Sequence, residues 1–118
     1  MPSQKDRDLV RARTLYENLF MTTTVGGSYV VDGKPARIGV GIISIPDLRD
    51  LKVPIQEDEI DYEGKSCFVV VEAGGEPVQA LQLKNDQLHV QDGKVGWEQR
   101  LWHGVNELLR LGIIHPAE

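Results

Sequence analysis

Residues 65–83 read "KSCFVVVE", "AGG", "EPVQALQL": two β-prone runs joined by a connection too short for anything but a chain reversal. A parallel partner would need a crossover of about a dozen residues or more, so the two runs pair antiparallel. The same logic applies on either side. Upstream, "SYVVDGKPARIGVGIISI" sets two β-prone runs around Asp32-Gly33, a strong hairpin signal. Pro35 opens the second of these runs, where a missing N–H does least harm. Ile38, Val40 and Ile42 then share one face, while Gly39 and Gly41 lie on the other and leave room for something to approach closely. Downstream, "LQLKNDQLHV" folds back around Asn85-Asp86. Between the two hairpins, "PDLRDLKVP" punctuates the chain as a helical turn.

Helical periodicity appears at the two ends. Ser3 is placed to cap the first helix, with Asp6 three residues on completing a weaker form of the capping box. Leu9, Ala12, Leu15, Tyr16, Leu19 and Phe20 form one apolar stripe, and Arg7, Arg11 and Arg13 lie largely off it and are expected in water. The pattern ends near Met21. "QDGKVG" breaks the sheet, and "WEQRLWHGVNELLRLG" returns to a helical period that Gly112 and Pro116 stop. The expected fold is a single α+β domain over residues 1–118, a mainly antiparallel sheet of about five strands flanked by N-terminal and C-terminal helices. Both helices are placed most simply on one sheet face.

At 118 residues the chain is one ordinary domain, large enough to close a core without staples. Its formal charge of −5 argues against long-range steering to a nucleic-acid backbone, which needs a basic surface. The lone Cys67, inside the apolar run "SCFVVVE", reads as a buried reduced thiol and so as a cytoplasmic residue. "MPSQKDRDLV" lacks the apolar core of a signal peptide, and no run reaches the roughly eighteen apolar residues of a membrane helix.

The densest chemistry is "QEDEIDYEG", residues 56–64, with five carboxylates in nine positions. From Glu59 the spacing Glu59-x-Asp61-x-Glu63-Gly64 imitates the first half of a calcium-binding EF-hand loop. The twelfth position, where a bidentate glutamate should close the shell, is Val70, and the flanks predict strands instead of helices. Ile60 and Tyr62 alternate with the acids, which suits an edge strand that turns its carboxylates to water. No metal site and no cofactor are expected.

The C-terminal helix offers more. Trp97, Leu101, Trp102, Val105, Leu108, Leu109 and Leu111 fill an apolar arc wider than one sheet face requires. Trp102 and Leu109, at its edge, are candidates for a homodimer interface, against the alternative that they finish the internal core. On the opposite arc Arg100 and Arg110 flank His103, and Glu107 lies four residues beyond the histidine. Such a cluster suits a small anionic ligand, or acid–base chemistry of the His103/Glu107 type; the plainer alternative is a wet helix face laced with charge pairs. Arg37, outward beside Gly39 and Gly41, is a further candidate for that ligand. His89 is expected to face out from a strand, and His115 to sit in the tail.

No catalytic residue is assigned from sequence. There is no HExxH pair, no GxSxG elbow, no Walker loop and no GxGxxG after a strand. Cys67 with a distant histidine is a conceivable nucleophile, but its apolar neighbours predict an inert thiol. The expectation is a non-enzymatic homodimeric binding module for a partner protein or a small anionic ligand, away from membranes. The alternative is a small hydrolase or isomerase whose polar groups converge only in three dimensions.

Overall fold

The computed structural model describes residues 3–50, 65–83 and 96–117, apart from the side chains of Phe20, Thr22, Ile45, Leu48, Arg49, Lys65 and Trp97. The acidic stretch around Glu59, Asp61 and Glu63, the Asn85-Asp86 turn and His89 all lie outside the described residues.

The capping box forms as the sequence implies. Asp6 N–H donates to Ser3 Oγ at 3.1 Å, and Ser3 N–H donates back to Asp6 Oδ2 at 3.3 Å. Helix α1 runs Gln4–Asn18 and ends on Leu19, so Phe20 does not extend the helical stripe but opens strand β1, Phe20–Val31. The run of β-branched residues from Thr22 to Thr24 ends the helix earlier than the apolar stripe suggested, because such side chains fit a pleated strand better than a helical turn. Strand β2, Lys34–Ser44, turns back on β1 through Asp32-Gly33, both with positive φ, as a tight two-residue hairpin requires. Helix α2, Ile45–Asp50, supplies the expected helical turn. Strands β3, Lys65–Ala73, and β4, Glu76–Gln82, form the second hairpin through Gly74 and Gly75, again with positive φ.

The sheet is wholly antiparallel with strand order β4-β3-β2-β1-β5. Its fifth described strand is β5, His115–Pro116, which pairs with Tyr29 and Val30 and is held further by Ala117 N–H donating to Ser28 C=O at 2.9 Å. The expected tail around His115 is therefore part of the sheet. Register slips between Met21 and Thr23 and between Gly26 and Tyr29 bulge β1 and help the sheet curl.

Helix α3, Trp97–Arg110, stops as predicted at Gly112. Gly112 adopts φ +74°, its N–H reaches Leu109 C=O at 3.1 Å, and Ile113 N–H reaches Leu108 C=O at 2.9 Å. This is a Schellman motif, which satisfies carbonyls that the helix end would otherwise leave bare.

Two apolar clusters lie on opposite sides of the sheet. Cys67, Val69 and Val71 pack with Ala36, Ile38 and Val40 beneath Leu101, Val105 and Leu108 of α3. Phe68 and Val70 pack with Ile43 and Ala80 beneath Ala12, Leu15 and Leu19 of α1. The expectation of both helices on one face is thus corrected: α1 and α3 sandwich the sheet. The alternation in β3 is the reason. Both of its faces are apolar, and each needs a cover.

Arg11 also departs from expectation. It flanks the buried stripe of α1, is half-buried, and lays its guanidinium over the Phe68 ring at 5.8 Å from the centroid. Its Nη1 donates to Ala80 C=O at 3.0 Å. Burial pushes its pKa down, while neighbouring Asp8 opposes the shift. A long cationic stem can cover apolar surface while its head finds a carbonyl, which a helical wheel does not show.

Candidate functional site

Helix α1 covers the β3–β4 side of its sheet face, and a groove opens beside it toward β1. Alternation on β2 turns Arg37, Gly39 and Gly41 to this face, and the register sets Arg37 opposite Glu72 and Gly39 opposite Val70. From β1, Gly26 stands opposite Arg37 and Thr24 opposite Gly39. Tyr16 comes from the exposed side of α1, at 39 % exposure, and not from its buried stripe as the sequence suggested.

These elements enclose a groove of about 330 Å³ lined by Tyr16, Met21, Thr24, Arg37, Gly39, Val70 and Glu72. Its floor is firm. Val70 is buried in the central strand β3, and Gly39 is buried in β2. The glycine has a packing reason: a Cβ there would stand 2.8 Å from Met21 Sδ and 3.1 Å from Thr24 Cγ2. The close approach that the strand glycines implied is made by the Met21 thioether, an adaptable filler.

The polar rim is held by its own contacts. Tyr16 stands at the rim beside Glu72, whose hydrogen bonding and then charge, with slight burial after them, raise the phenol pKa from its ordinary value, with Arg37 opposing. Arg37 Nη2 donates to Thr24 Oγ1 at 3.4 Å, a long bond that leaves most of the guanidinium fork for other partners. The site therefore offers a cation, an anion and two hydroxyls around a small apolar floor. Sequence reasoning found Arg37 and its glycines but missed Tyr16, Thr24 and Glu72. Period-two alternation places Glu72 on the Phe68–Val70 face; the helix that brings Tyr16 there is not legible locally.

A second groove, of about 420 Å³, lies at the hairpin end of the sheet, with Lys5, Asp8, Asp32, Lys34 and Glu76 around Val31, Val78 and Ile113. Most of these charges come from turns and element ends. The Arg37 groove is built mainly on central strands and one helix, the sounder support for a precise site.

The remaining candidates lie on α3, across the sheet from Arg37. Arg37 therefore does not join Arg100, His103 and Arg110 in one site. His103 and Arg110 are exposed and Arg100 is half-buried. Arg110 grips Glu107 with two bonds, Nη2 to Oε2 at 2.7 Å and Nε to Oε1 at 3.2 Å. Glu107 is thus engaged with Arg110, the routine i,i+3 pairing of an exposed helix. Trp102 is 41 % exposed, and Leu109 packs half-buried against the α3-side core. Cys67 is buried and forms no disulfide within the chain. Among the described residues, no three metal-ligating side chains come together and no helix is long and apolar enough to cross a membrane.

Comparison with protein-family models, with curated proteins and with solved structures returns no match to this chain.

Proposed function

We propose that this protein is a non-enzymatic binding module that takes a small ligand in the Arg37 groove, with an anionic group of the ligand on the guanidinium. The observation that carries the reading is the 330 Å³ groove itself, whose polar rim stands on a buried floor of Gly39 and Val70. That volume is at the low end for small-molecule sites. Guanidinium groups match carboxylate and phosphate geometry with two parallel bonds, and Arg37 keeps donors free for this.

The module works as a homodimer. Trp102, at 41 % exposure, is a large aromatic on the outer side of α3, and Leu109 is half-buried beside the core. Tryptophan is enriched among interface anchors, and symmetric dimers are the commonest soluble oligomers. The buried thiol of Cys67 fits a reducing compartment such as the cytoplasm.

Two measurements test this. Titration with sodium acetate and with inorganic phosphate should shift the amide resonances of Arg37, Gly39 and Val70, with affinity of about 1 mM. Arg37→Ala should abolish the shifts with the fold unchanged; shifts that persist in that variant would refute the site. Sedimentation should show a dimer that Trp102→Ala and Leu109→Ala weaken, and a monomer at high concentration would remove the dimer.

A further inference from the structure

Arg37 and Glu72 face each other directly across β2 and β3, on the same side of the sheet. Opposite charges so placed would ordinarily be expected to pair. Here each has a different neighbour. The guanidinium reaches back toward β1, to Thr24 Oγ1 at 3.4 Å, whereas the carboxylate lines the groove together with Tyr16 of α1. A positive and a negative group that do not take each other as partner thus line one groove, on the rung next to the Gly39 and Val70 floor.

We infer that the groove selects small zwitterions, molecules of α-amino-acid chemistry that carry an anionic and a cationic group a few ångströms apart. This rests on the reading that the Arg37 groove is the binding site. A purely anionic ligand gains from Arg37 but is repelled by Glu72, and a purely cationic one meets the reverse. Only a ligand with both charges finds both partners: its carboxylate takes the Arg37 fork, and its ammonium donates to Glu72 beside the Tyr16 hydroxyl. The phenol that lines the groove with Glu72 adds a polar group without supplying a competing cation. The apolar part of the ligand lies over Val70 and against the Met21 thioether, which can repack around different side chains.

Three probes that share one side chain and differ in charge separate the possibilities: L-leucine, N-acetyl-L-leucine and L-leucinamide, each titrated at neutral pH and read from the amide shifts of Gly39 and Val70. L-leucine should bind at least about tenfold more tightly than either blocked compound, the size of one charge-assisted hydrogen bond. Glu72→Gln should erase the preference for L-leucine over N-acetyl-L-leucine, and Arg37→Gln should remove binding of both. If N-acetyl-L-leucine bound as well as L-leucine while still requiring Arg37, the zwitterion inference would fall and the anion-binding reading would stand. No binding of any probe, with acetate and phosphate still Arg37-dependent, has the same consequence. Shifts independent of Arg37 with every probe would overturn both.

Discussion

Replacing Gly104 by alanine should destabilise the protein, although alanine is the better helix former. Gly104 sits in the middle of α3 and is buried against the sheet. A Cβ there would lie 2.9 Å from both Cβ and Cγ2 of Val69 and 3.1 Å from its Cγ1. Comfortable carbon contacts need about 3.5–4.0 Å, so α3 must retreat by roughly half an ångström or more. Val69 cannot yield, because its strand is pinned on both sides, opposite Val40 on one and Leu81 on the other. Retreat opens gaps beneath Leu101, Val105 and Leu108, where even a gap of about 0.5 Å forfeits a quarter of the dispersion attraction. Overpacking costs about 1–3 kcal/mol, and the gain in helix propensity returns about 1 kcal/mol. The net expectation is a loss of about 1 kcal/mol, read in urea denaturation as a midpoint lowered by roughly 0.5 M. In a Val69→Ala background two of the three close atoms are gone, so Gly104→Ala should cost less there by about 0.5 kcal/mol or more. A variant as stable as the parent, or strict additivity in the double-mutant cycle, would refute the claim that contact with Val69 decides this position.

Gly112→Ala should also destabilise, by about 1–2 kcal/mol, but through backbone strain at φ +74°, since nothing lies within 4 Å of a Cβ there. Thermal melting should show Gly112→Asn losing less, because asparagine tolerates this conformation. The Tyr16 phenol should titrate above 10 in the folded protein, and Glu72→Gln should bring it down; absorbance titration against Tyr16→Phe isolates this one of the three tyrosines. The sign follows from a folded pKa raised over the unfolded one: the contribution to stability is full below pH of about 10 and disappears as pH rises through the folded value. A phenol unmoved by Glu72→Gln would break the link between the two residues. Cys67, 3 % exposed, should resist thiol reagents in the native protein and react in step with unfolding in urea; fast native labelling would contradict its burial.

The strands β2, β3 and β4, the hairpins at Asp32-Gly33 and Gly74-Gly75, the start of α1 and the stop of α3 were legible because their causes are local. Positive φ favours glycine or a tolerant Asp, short links force antiparallel return, and Ser3 with Asp6 caps its own helix. Arg37 was found for a similar reason, since it shares a face with two strand glycines. Other placements were not read correctly. Phe20 matched the helical stripe, but the β-branched run after it claimed it for β1. The run "SCFVVV" carried a signal that its second face needed a cover, yet nothing in it named which helix would supply one.

What the sequence determined by itself is therefore the pattern of elements: where the chain turns, which residues alternate, where α1 starts and where α3 stops. The tertiary structure decided which face each helix took, and with it the composition of the candidate site. Tyr16 meets Glu72 only because α1 packs over Phe68 and Val70, and the same choice puts Arg100, His103 and Arg110 across the sheet from Arg37. Helix-capping bonds and the backbone strain of tight turns act between near neighbours in the chain and leave their mark in its order. Burial of apolar surface is non-directional, so either helix can satisfy either face, and only the packed whole selects one arrangement.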